Sequence, residues 1–118
     1  MQNKSTSQAA LAMFKQALSE LVQRQGPDLS SRQMAIMLIV YLEEPPHTVR
    51  GLAAQLKISK PAVTRALDTL GKMDLLKRKP DEADRRSINV VRTVKGSVYL
   101  SEIADVIEQA AWNNLGQS

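Results

Sequence analysis

Between Thr48 and Met73 the chain reads "TVRGLAAQLKISKPAVTRALDTLGKM", two short helical patterns with only "KIS" between them. Leu52, Ala53 and Leu56 give the first an inward face, while Val63, Leu67 and Leu70 form an i, i+4, i+7 stripe on the second. The other face of the second carries Pro61, Thr64, Arg65, Asp68 and Lys72. Two helices joined by a three-residue turn, the second apolar on one side and polar and cationic on the other, is the pattern of a helix-turn-helix. Any helical hairpin in a bundle can show it, so the flanking segments decide.

Capping chemistry marks where these helices begin. Thr48 stands before the first, and Ser59 can accept from the free amides of the second. Lys60 and Pro61 fall in the second helix's first turn, where a missing proline N–H does no harm.

Downstream, "LLKRK" has strand propensity and "SINVVRT" is β-branched, so Ile88, Val90 and position 92 would share one face. The connection between them is longer than the two to five residues of a usual hairpin and charged at its end, which points to function. Thr93 can cap a last helix striped with Tyr99, Ile103, Val106 and Ala110.

Upstream, residues 5 to 25 carry Leu11, Phe14, Leu18 and Leu21 on one face, widened by Val22. "GPD" stops this helix. Ser30 or Ser31 caps the next, "RQMAIMLIVYLEE", which is apolar almost all round and belongs at a core until Pro45 and Pro46 end it. The resulting order is helix, helix, short helix, turn, helix, two-stranded hairpin, helix, which is that of a winged helix-turn-helix.

At 118 residues and 43% hydrophobic content the expectation is one domain over 1–118. With no cysteine, disulfides, thiolate metal sites and thiol redox sensing are excluded. "MAIMLIVYL" is far short of a membrane span, and "MQNKSTSQAA" lacks the apolar core of a signal peptide, so a cytoplasmic location is expected. Charge is uneven: Arg50 to Gly96 hold twelve basic and five acidic residues, the rest of the chain four and seven. A basic centre between acidic flanks is the footprint of nucleic-acid binding, with solvated helix faces as the ordinary alternative. One histidine, no cysteine and no clustered polar set offer no constellation for an enzyme. His47 follows Glu43 and Glu44, but the prolines between them and the small number of ligands argue for a neutral loop histidine, with no metal or other cofactor expected. The five methionines and Trp112 read as packing or interface.

From Ser31 to Gly96 the chain resembles the MarR (multiple antibiotic resistance regulator) family of bacterial transcription factors. Three stretches carry the resemblance: "TVRGLAAQL", "SKPAVTRALDTL" and "LLKRKPDEADRRSINVVRTVKG". Within the last, "DRR" at 84–86, Arg78 before it, and Thr93 with Gly96 after it match the family's wing. Four features depart from the pattern. Gly51 stands where an acidic residue is usual, against a firm helix start; Asp74 replaces a glycine, though Asp tolerates a left-handed backbone. Arg92 replaces a leucine, against an inward register for the end of the second strand. Members commonly have two helices after the wing, and about 20 residues remain here, which bears on dimer geometry.

The resemblance implies a mainly α (α+β) fold: a winged helix-turn-helix core at 29–96 with a two-stranded β wing, and long terminal helices at 5–25 and 94–113 for dimerisation. It implies a homodimeric, sequence-specific regulator of double-stranded DNA, a repressor as most members are, acting on an inverted-repeat operator, with a small-molecule effector as a further partner. The helix 60–73 would lie in the major groove and the wing 80–86 at the minor groove. Arg86 takes the place of the family's minor-groove arginine, and Arg85 would meet phosphate. Arg65 suits a bidentate guanine contact, Thr64 a phosphate or thymine methyl, Pro61 a base edge and Lys60 a phosphate. Asp68 would accept from a cytosine amine or orient Arg65. Asp84 would shape the wing by accepting from its amides or from Arg78 or Arg86, leaving Asp81 and Glu82 without a role. The competing reading is a winged-helix module that binds protein and never meets DNA.

Overall fold

In a computed structural model, which describes residues 5–116, the chain divides into two compact units: Leu29–Tyr99, and the flanking segments up to Asp28 and from Leu100 onward. Residues 1–4 and 117–118 of the expected 1–118 domain, with the start of the segment that lacks a signal-peptide core, lie outside the described residues. The element order is α1 (Thr6–Gln23), α2 (Ser31–Leu42), α3 (Val49–Leu56), α4 (Lys60–Lys72), β1 (Leu76–Pro80), β2 (Ile88–Arg92) and α5 (Val94–Ala111), followed by a π-helical turn at Trp112–Gly116.

In the central unit each helix starts at a hydroxyl that satisfies its free amides. Ser30 accepts from Gln33 N at 3.1 Å while the Gln33 side chain returns to the Ser30 amide at 2.9 Å, a complete capping box. Thr48 accepts from Gly51 N at 3.0 Å, so α3 has its start despite the glycine. Thr93 accepts from Gly96 N at 2.9 Å at the head of α5. The core is built from Ile36, Met37 and Val40 of α2, Leu52 of α3, Val63, Leu67 and Leu70 of α4, and Leu75 and Val90 at the wing's base, all at most 2% exposed. Burying side chains of this size stabilises by about 1.5–3 kcal/mol each. The expectation of an α2 buried all round needs correction, since Leu38 and Leu42 stay exposed.

The two strands pair antiparallel with Arg78 opposite Val90 and Pro80 opposite Ile88, which leaves residues 81–87 as the connection. Val90 N–H also donates to His47 O at 2.7 Å, and the His47 ring nitrogen Nε2 lies 3.2 Å from Glu43 O. A carbonyl oxygen only accepts, so Nε2 carries the proton there. His47 is a loop residue, but a buried one, and it ties the wing to the end of α2. Arg92 does not disturb the register: its Nε donates to Val40 O at 3.1 Å and its guanidinium lies 5.8 Å from the Tyr41 ring centroid. The pairing with Leu76 holds, but the Arg92 side chain is exposed rather than inward, with its Nε on a helix carbonyl, and of the expected face only Val90 is buried. Asp74 takes a left-handed φ of 59°.

In the flanking unit the inward face of α1 is Met13, Ala17 and Leu21, packed with Val106 and Ala110 of α5. Asn114 Nδ2 donates to Gln16 Oε1 at 2.9 Å, and Arg24 pairs with Glu102 at 3.8 Å. Of the stripe expected at a dimer interface, Leu21 packs within the chain, while Leu11, Phe14, Leu18 and Val22 are 45–77% exposed. Helix α1 thus has two adjacent apolar faces, one used within the chain and one open to solvent.

Candidate nucleic-acid interface

Helix α4 presents its two faces as its pattern predicts. Ala62, Val63, Ala66, Leu67 and Leu70 are buried, which turns Lys60, Pro61, Thr64, Arg65 and Asp68 to the surface. The start is set by Ser59, whose hydroxyl accepts from Ala62 N at 3.2 Å. The Lys57 backbone reverses through a left-handed φ of 57°, which turns the chain from α3 into α4. Arg65, Lys60 and Lys57 make no ion pair among the described residues. Their charge is therefore uncompensated locally and open to an anionic partner.

The wing is clamped at its base by a polar network around Tyr41. Its hydroxyl donates to Leu75 O at 2.7 Å and accepts from Thr93 N–H at 3.0 Å, while Thr93 Oγ1 donates to Asp74 O at 2.7 Å. This joins α2, the entry to β1 and the exit from β2 through one ring. Gly96 is required beside it, because a Cβ there would collide with the Tyr41 hydroxyl and Leu75 O.

The tip is held by short-range turns. Asp84 Oδ1 accepts from Arg86 N at 3.1 Å, and its carbonyl accepts from Ser87 N at 2.9 Å. Asp81, for which the sequence suggests no role, accepts from Ala83 N at 2.8 Å through its side chain, and its own amide donates to Ser87 O at 2.9 Å. These are Asx turns, which aspartate forms because its carboxylate reaches the amide two residues on. A Pro-Asp dipeptide opening a loop is the signal that would have revealed this one. Arg86 stands 96% exposed with Asp84 Oδ1 3.8 Å from its Nε, an ion pair that solvent weakens. Arg85 is exposed beside it.

Arg78 does not reach Asp84. It crosses from β1 to α4, where its guanidinium meets Asp68 Oδ1 at 2.7 Å. From the sequence, Asp68 is expected to face a base or Arg65, and Arg78 the wing loop. The structure pairs the two with each other.

The MarR family model matches residues 29–88, just over half of the chain. The fold is similar to that of a mutant MepR from S. aureus bound to an oligodeoxyribonucleotide, with a TM-score of 0.78 and 21% identity over 92% of this chain and 78% of that one. It is similar to the transcriptional repressor CouR bound to a 23-mer DNA duplex, with a TM-score of 0.71 and 24% identity over 94% and 75%. It also resembles the transcriptional regulator Tm0710 from Thermotoga maritima, with a TM-score of 0.69 and 25% identity over 92% and 73%. A comparison with curated proteins found no match. A family model spanning the core helices and the wing tip, together with the winged-helix architecture, establishes that this chain belongs to the MarR family of transcriptional regulators.

Proposed function

We propose that the chain binds double-stranded DNA sequence-specifically as a homodimer and acts as a repressor in the cytoplasm. Helix α4 enters the major groove and residues 80–86 reach the neighbouring minor groove. Arg65 reads guanine, Thr64 and Lys60 meet the backbone or a thymine methyl, and Pro61 lies against a base edge. Arg85 contacts phosphate while Arg86 occupies the minor groove, whose narrow A·T stretches concentrate negative potential. The observation that carries this reading is the wing tip: a 96% exposed arginine on a loop already shaped by two aspartate turns, so less conformational entropy is lost on binding. Two of the similar structures hold DNA, which supports the same partner here.

The exposed Leu11, Phe14 and Leu18 face of α1 supports a second copy as its cover, since one chain leaves it in water. Such a dimer sets its two recognition helices about 34–36 Å apart and calls for an inverted repeat. Release by a small-molecule effector completes the reading on family resemblance alone. Among the described residues no helix is long and apolar enough to cross a membrane.

Fluorescence anisotropy with duplexes from the promoter of its own operon, titrated across salt concentrations, tests this. Affinity should fall steeply with salt and exceed that for scrambled duplex by orders of magnitude. Equal binding to scrambled duplex would defeat the proposal and favour a protein-binding winged helix. Light scattering reads the oligomeric state separately.

A further inference from the structure

Helix α4 and strand β1 are joined at one end, where Leu75 N–H donates to Leu70 O at 2.9 Å beside the left-handed Asp74. Beyond that junction they part around a groove of about 520 Å³, floored by Leu67 and Leu76 and flanked by Lys72 and Lys77. The Asp68–Arg78 contact spans this groove, and it is the one ion pair between α4 and β1 among the described residues. A strand rises roughly 3.3 Å per residue, so the wing tip lies on the order of 20 Å along the chain from the Asp74 turn, and a tilt of about 10° there would shift the tip by roughly 3 Å. That exceeds the tolerance of a hydrogen bond to a base edge or groove atom.

We propose that Asp68 and Arg78 are positioning residues, forming a strut that fixes the wing's reach relative to the recognition helix and so couples major-groove and minor-groove contacts into one reading of the operator. The proposal rests on the DNA-binding function above. It withdraws both members from direct contact: Asp68 has its carboxylate occupied, and Arg78 has its charge compensated before any phosphate arrives. Neither contributes its own base preference. Their common effect is on how well Arg65 and Arg86 engage together.

Opposite charges make the idea testable. Replacing Asp68 by Asn removes a negative charge near DNA, and replacing Arg78 by Gln removes a positive one. As independent DNA contacts the two substitutions would move affinity in opposite directions. As halves of a strut they lower the ratio of operator to scrambled-duplex affinity together, by about two- to fivefold per half-site, the range expected for one partly exposed ion pair. Arg78→Gln should leave the salt slope unchanged, and the exchanged pair Asp68→Arg with Arg78→Asp should restore discrimination. A slope reduced by about one unit in Arg78→Gln, or opposite changes in discrimination in the two single variants, would overturn the strut.

A second measurement needs no DNA. Hydrogen exchange on the full chain should show faster exchange over β1 and β2 in either single variant, with α2 and α3 unaltered and the wild-type rate recovered in the exchanged pair. Unchanged exchange in the wing would refute the strut even in a protein that binds no operator. Failure of wild-type operator binding with altered wing exchange would instead refute the proposed function alone.

Discussion

The recognition helix and the wing are both cationic elements of the central unit, yet they are held by different physics. Five side chains of α4 are buried in a shared core, so its exposed face is set by apolar packing. The wing strands bury Leu76 and Val90 at their base, and beyond that the connection relies on aspartate turns and backbone pairing. Packing makes α4 rigid at the cost of any freedom to adapt. Hydrogen-bonded turns at a solvated tip give shape with little cooperative stability, which suits a finger that must follow a groove.

This contrast predicts a graded set of responses. Leu70→Ala should break the core under α4, destabilising by about 2–5 kcal/mol in chemical denaturation; a change under 1 kcal/mol would show that α4 is not anchored this way. Next comes Gly96→Ala, where the new methyl displaces the Tyr41 hydroxyl and costs about 1–3 kcal/mol. Tyr41→Phe should recover part of that loss in the Gly96→Ala background and reveal whether the hydroxyl is what collides. Asp84→Ala removes the amide acceptor at the tip, so it should leave the unfolding midpoint nearly unchanged while speeding exchange at residues 84–87 by about five- to tenfold. The smallest effect is a gain. Lys57 pays for its left-handed backbone with about 1–2 kcal/mol, against the roughly 0.5–1 kcal/mol of chain entropy that glycine would lose. Lys57→Gly should therefore raise stability by about 0.5–1 kcal/mol in chemical denaturation.

What could be read from the residues follows the same division. Caps at Ser59, Thr48 and Thr93 and the stripe of Val63, Leu67 and Leu70 depend on neighbours within one or two turns, so their chemistry was visible locally. The connection at 81–87 was visible as a gap between two strand patterns. Contacts made across elements were not. Arg78 and Asp68 share no helical or strand spacing, and only the wing's position beside α4 brings them to 2.7 Å. Arg92 looked like an interruption because its carbonyl partner, Val40, lies 52 residues away. The stripe on α1 is legible as an apolar face, and all of it but Leu21 is open in one chain, whereas Ala17 and Met13 look unremarkable beside Leu11 and Phe14, so the face that packs within the chain gives no signal of its own.

The central claim of the proposed function is that the exposed, pre-shaped Arg86 at the wing tip engages the minor groove beside the bases that α4 reads. The direct measurement is the salt dependence of operator affinity for Arg86→Ala and Arg65→Ala beside the wild type. Arg86→Ala should flatten the logarithmic slope by about one unit while keeping the order of base preferences, and Arg65→Ala should relax preference at one position per half-site. An unchanged slope in Arg86→Ala, with operator binding otherwise intact, would contradict the account.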